Sequence, residues 1–167
     1  MIVKNYIEST IDELEKMYNS SNNQKQLIYY SKLALMELCG WVEGSMDDIV
    51  EKYCNRKLRD RRNKTYAKKK IIRPNYGFQY DDNFRPMLMK AIGIVAIEQL
   101  ERKLEDSGGK ITVLRSKLGN LKNPRNDAAH TFIKGTMTTF FAPSTIKGEF
   151  NILYPILKEI ESEIRSM

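Results

Sequence analysis

Histidine, cysteine and proline are scarce in this chain: one, two and five residues in 167. The cysteines, Cys39 and Cys54, stand fifteen positions apart in apolar, helix-like surroundings, without CxxC spacing and without a second histidine. That pattern argues against a zinc site and fits buried thiols in a reducing cytoplasm. No metal or other cofactor is expected. Long apolar runs are missing too. The longest, residues 91–97, is far too short to cross a bilayer, and the first six residues lack a secretion-signal pattern. Neither a strand-like alternation nor a repeat nor a low-complexity stretch stands out. The expectation is a cytoplasmic, all-α protein with no membrane partner, one domain over 1–167, long enough to bury a real core.

Acid is what the middle of the chain lacks. Between residues 56 and 73, Arg56, Lys57, Arg59, Arg61, Arg62, Lys64, Lys68, Lys69, Lys70 and Arg73 face a single acid, Asp60, for a net +9. The whole chain carries +7, so everything else nets 7 − 9 = −2. A near-neutral body with one basic arm favours a polyanionic partner. The arm reads either as a solvated, partly helical linker or as a clamp on a phosphate backbone, with binding that weakens steeply in salt. Tyr66, Tyr76, Phe78, Tyr80 and Phe84 lie in and beyond it. They can stack on bases of a single strand or pin the loop to the body.

Helical spacing organises the rest. Ile7, Ile11, Leu14 and Tyr18 predict an amphipathic helix over 2–18, and the polar run 20–23 ends it and caps the next. From Gln24 to about Leu58 there is no proline, and apolar residues fill two adjacent faces. One holds Leu27, Tyr30, Ala34, Leu38 and Trp41; the other holds Leu35, Val42, Met46, Ile49 and Tyr53. So wide a stripe marks a central helix with neighbours on both sides. Gly40 and Gly44 would let another helix approach closely. Glu37 falls between Ala34 and Trp41, either as a core-edge carboxylate paired with a cation or as a polar group turned toward the chemistry below. Asp81 or Asp82 can cap a strongly apolar helix that runs to about Glu105 through Leu88, Ile92, Val95, Gln99 and Leu104. Ile111, Leu114, Leu118 and Leu121 give another. Ile146, Phe150, Leu153, Leu157, Ile160 and Ile164 form the last, with a kink at Pro155.

The only histidine, His130, closes the stretch Arg125-Asn126-Asp127-Ala128-Ala129-His130. Asn123 followed by Pro124 predicts a helix start, with Asn as cap and Pro in the first turn, and a helix running to about Lys134. Asn126 and His130, four apart, would share a face, and Arg125 can reach the same region. Imidazole, amide and guanidinium beside free backbone N–H groups would suit a phosphate. This stretch is similar to the Arg–polar–three residues–His motif of the HEPN superfamily, all-helical ribonucleases and toxins. The segment 29–43, Tyr-Tyr-Ser-Lys-Leu-Ala-Leu-Met-Glu-Leu-Cys-Gly-Trp-Val-Glu, also resembles the second helix of the RiboL-PSP group within it. The resemblance spans about 29–130. It implies a helical bundle of about five to six helices with a long central second one. Phe132 stands where some members carry a tyrosine that a partner enzyme adenylylates, so silencing by that route is not expected.

RNA brings its own nucleophile, the 2′-hydroxyl. Cleavage needs a base for its proton, an acid for the leaving 5′-oxygen, and positive charge on the phosphorane. Histidine suits both proton roles, but one chain holds one. A symmetric dimer would supply two, with small Ala128 and Ala129 permitting close approach, and the resemblance implies such pairing. The roles expected are His130 as base or acid, Arg125 as charge stabiliser and Asn126 as orienting group, with Asp127 as an electrostatic support or simply a first-turn acid. The expected activity is a metal-independent endoribonuclease leaving 2′,3′-cyclic phosphate and 5′-hydroxyl ends, serving as a toxin or antiphage effector. Two alternatives stand beside it: a non-catalytic RNA- or nucleotide-binding homodimer, and a bundle that docks a partner protein such as an antitoxin.

Overall fold

The computed structural model describes residues 2–130 and 139–167. Among them every regular element is helical. The order is α1 (Asn5–Ser20), α2 (Gln24–Lys57), α3 (Arg61–Tyr66), a π-helical segment (Ala67–Ile72), a π-helical turn (Tyr80–Phe84), α4 (Arg85–Ile92), α5 (Ile94–Asp106), α6 (Lys110–Ala129) and α7 (Pro143–Ser166). That is more pieces than the five or six expected, for two reasons. The basic arm is itself helical, and the helix expected to reach Glu105 is broken at Gly93.

Gly93 has φ +85° and ends α4 while opening α5. A left-handed residue there suits glycine alone, and it shifts the register of everything after it. The buried line of α5 is therefore Ile97, Leu100 and Leu104, while Ile94 and Val95 are exposed. The expected caps Asp81 and Asp82 do not serve. They lie inside the π-helical turn, which opens after Gln79.

α2 is the axis. Asn23 caps it through Oδ1, which accepts from the backbone N–H of Lys25 and Gln26 at 3.0 and 3.4 Å. Both predicted faces are used: Ala34, Leu35, Leu38, Val42, Met46 and Ile49 are buried against α1, α6 and α7. Trp41 sits edge-on to Phe150 of α7 at 5.1 Å between centroids and donates its indole N–H to the Val3 carbonyl at 2.8 Å. Burying side chains of this size contributes about 1.5–3 kcal/mol each. All six residues expected to line the final helix are buried in α7, with Pro155 inside it. Cys39 and Cys54 are buried and unbridged. A polar network ties the π-helical turn, α4 and α5 together. The Tyr80 hydroxyl and Arg85 Nε both donate to Glu101 Oε1, at 3.0 and 2.8 Å, and the Arg115 guanidinium of α6 lies over the Tyr80 ring. No helix among the described residues is long and apolar enough to cross a membrane.

Candidate functional site

The helix start expected at Asn123 is not there. α6 runs unbroken from Lys110 through Pro124 to Ala129. Proline removes one donor from the ladder, but burial holds the helix on both sides of it: Leu118 and Leu121 before, Ala128 after, at 3- and 7-residue spacing. Tertiary packing outweighs the local stop signal. The Arg–Asn–x–x–x–His stretch is thus the last turns of a helix rather than the first. Its exposed backbone groups are carbonyls, and the dipole there repels anions. Asp127 accordingly has no role as a first-turn acid; it is exposed in the final turn.

His130 is exposed and ends α6, its backbone N–H donating to the Asn126 carbonyl at 3.0 Å. Residues 131–134 of the expected continuation, Phe132 included, lie outside the described residues. Arg125 is half-buried, and its Nη1 donates to the Asn126 side-chain oxygen at 3.3 Å. Arg125, Asn126 and His130 thus stand at the carbonyl end of α6 without the expected backbone donors, and among the described residues no side-chain contact joins His130 to the other two. Ala129 is exposed, but Ala128 is fully buried inside the chain and is unavailable to a second subunit.

Across from this end, α2 presents Cys39 and Glu43. The Arg125 guanidinium is near enough to pull down the Cys39 thiol, yet burial dominates and pushes it up to about 12. Such a thiol is an inert neighbour and no nucleophile. Glu37 lies two residues from Cys39, about 160° around a regular helix, so it faces away from Arg125. It is half-buried, and it has no hydrogen bond or ion pair among the described residues, so neither expected role for it is seen. Glu43, on the same side of α2 as Cys39, adds a negative charge that acts on that thiol, and its Oε1 accepts the Gly77 N–H at 2.8 Å. Its signal in the sequence was the four-residue spacing Glu43, Asp47, Glu51, an acidic line along α2 opposite the basic arm.

Asp47 in that line has a buried Oδ1 with no hydrogen-bond partner among the described residues. Burial first, then the charges of Glu43, Asp48 and Glu51, raise its carboxyl from 3.8 to about 6. A raised folded-state value means the group costs nothing at low pH, where it is neutral folded and unfolded. Stability is then lost as pH climbs from about 4 through about 6. Asp47→Asn should therefore stabilise the protein at neutral pH by about 1 kcal/mol, allowing for its half-exposed position, and melt like wild type near pH 4. Thermal melts followed by circular dichroism at both pH values read this directly; an equal gain at both would remove titration as the cause.

The basic arm divides in two. Arg56 and Lys57 turn to the end of α7, donating to the carbonyls of Ile164 at 3.0 Å and Met167 at 2.6 Å. There they satisfy helix-terminal acceptors, so they are no part of an open clamp. Lys68 pairs with Glu51 at 2.7 Å and Arg62 with Asp60 at 3.1 Å. Arg59, Arg61, Lys64, Lys69, Lys70 and Arg73 form no ion pair among the described residues, and all but half-buried Lys64 are exposed. The aromatics divide as well. Phe78, Tyr80 and Phe84 are core, while Tyr66 and Tyr76 are 62% and 84% exposed. Among the described residues no group of three or more His, Cys, Asp or Glu side chains is placed to hold a metal ion. Comparison with models of known families, with curated proteins and with solved structures found no match.

Proposed function

We propose that this chain is a metal-independent endoribonuclease of HEPN type, acting as a homodimer in a toxin or antiphage system. The observation that carries the reading is the gathering of Arg125, Asn126 and exposed His130 at one helix end, on an all-α body with a long central second helix. The unpaired cations of the arm add a place for the phosphate backbone. In this mechanism His130 of one subunit takes the 2′-hydroxyl proton, and the same residue of the second copy protonates the leaving 5′-oxygen. Arg125, oriented by Asn126, neutralises the phosphorane.

Pairing of two copies draws support from α2. Among the described residues nothing covers Gly40 or Gly44: a Cβ built on either meets no atom within 4 Å. The close helix approach expected at these glycines is therefore not made among the described residues. Tyr29 and Leu33, 54% and 46% exposed, continue the same side of the helix. Cys39 lies about 100° around the helix from Gly40, so a second α2 laid there would leave the Cys39–Arg125 side at the flank of the pair.

The test is incubation with end-labelled RNA in EDTA, with the product termini identified. Cyclic phosphate and 5′-hydroxyl ends are expected; intact RNA sinks the catalytic reading. One observation favours a second reading, a non-catalytic RNA-binding module: the motif faces solvent at the carbonyl end of α6, which leaves Arg125 without backbone donors to share the phosphorane charge. It predicts salt-sensitive binding that survives His130→Ala.

A further inference from the structure

The loop carrying Tyr76 is pinned tightly while its ring is left in water. Asn83 does most of the pinning: its Oδ1 accepts the Gln79 N–H at 3.0 Å, and its Nδ2 donates to Asn75 Oδ1 at 3.2 Å and to the Tyr76 carbonyl at 3.1 Å. Gly77, at φ +120°, admits this packing; a Cβ there would stand 3.0 Å from Asn83 Oδ1. Gln79 Nε2 ties the far side to α6 through the Leu118 carbonyl at 2.8 Å. A large ring held still and exposed loses little freedom when something stacks on it.

Its position is set by α2. The arm is fastened at Glu51 through Lys68, and the loop at Glu43 through Gly77. Those anchors are eight residues apart, or about 12 Å along the helix. One turn further on, Cys39 marks the place of Arg125. Arm, Tyr76 and Arg125 thus follow one another along the same helix. On the arm, Tyr66 is exposed, with Arg62 four before it and Lys69 and Lys70 three and four after.

We propose that Tyr76, with Tyr66 behind it, is a base-stacking platform between the basic arm and Arg125, so that the protein binds RNA as an unpaired strand more tightly than as a duplex. The direction of the strand rests on the ribonuclease reading; the platform itself does not. Stacking on an aromatic needs an open base face, which a duplex denies, whereas cations alone hold both forms.

The experiment measures binding of the whole protein to a short 2′-O-methyl RNA strand, which has no free nucleophile and so stays intact, and to its duplex. A matching DNA strand tells whether the sugar matters. Tyr76→Ala and Tyr66→Ala should each weaken strand binding by roughly five- to a hundredfold, the range for loss of one stacked base. Tyr76→Phe should bind as wild type, and neither alanine variant should change duplex binding. Equal affinity of Tyr76→Ala and wild type for the strand overturns the proposal. So does an equal loss on strand and duplex, which would mean the loop had collapsed. Binding of neither form at low salt also overturns it and leaves the arm to an acidic protein surface. Ring-dependent binding without cleavage of ordinary RNA would sink the catalytic reading alone.

Discussion

His130→Ala should lower RNA cleavage by about a hundred- to ten-thousandfold, the usual worth of a positioned proton-transfer group. The fold should be untouched, because the imidazole is exposed past the end of α6 and no hydrogen bond to it is made among the described residues. The sharper form of the test mixes subunits. If two imidazoles from two chains serve one cleavage event, only wild-type pairs are active. An equal mixture with His130→Ala, allowed to exchange, should then keep about a quarter of the activity. If each chain acts alone it should keep about a half. Retained activity in the pure variant would remove His130 from the chemistry altogether.

Neutralising Lys69, Lys70 and Arg73 to glutamine is the second large effect expected. These cations are exposed and without ion-pair partners among the described residues, so they are available to phosphate. Each phosphate contact on a single strand contributes about 0.7 to the slope of log affinity against log salt, so the triple variant should flatten that slope by about 2. Affinity at low salt should fall roughly ten- to a hundredfold, by the same counterion argument. Arg56→Gln with Lys57→Gln is the contrast. Both side chains are engaged at the end of α7, so their loss should lower the melting temperature while leaving the salt slope nearly unchanged. A slope that responds to Arg56 and Lys57 and ignores the other three would reverse the division of the arm.

That division could not be seen in the sequence, where ten cations in a row look alike. Which of them are engaged depends on the π-helical segment Ala67–Ile72 folding back on α2 and on α7 ending beside Arg56, both long-range events. The helices themselves were readable wherever an unbroken apolar period met no special residue. α1, α2 and α7 lie within a few residues of expectation for that reason, and all six residues that the spacing named in α7 are buried. In α1 and α2 it also named Tyr18, Leu27, Tyr30, Trp41 and Tyr53, which are only half-buried, and passed over buried Ser31, Ser45 and Val50. Misreadings occurred at residues with two meanings. Pro124 after Asn123 is a good helix start, yet Leu121 and Ala128 bury the segment as one helix. Gly93 inside an apolar period is a tolerable defect on paper, and in the structure it resets the register so that Val95 points outward. Glu37 does sit half-buried at the core edge, as the apolar residues around it imply, but on the side of α2 away from Cys39. The carboxylate on the Cys39 side of α2 is Glu43, one turn along, which becomes visible only when Cys39 is known to face Arg125.

Because the arm and the histidine end are both fastened to α2, a single rod of 34 residues, their separation is fixed. From Cys39 to Cys54, the level at which the arm packs, is fifteen residues, or about 22 Å. A stacked strand advances about 3.4 Å per nucleotide, so roughly six or seven nucleotides fill that interval. On the proposed ribonuclease reading this interval acts as a ruler: a fragment too short to span it would occupy the arm or reach His130, but not both, and cleavage products would lose their grip as they form.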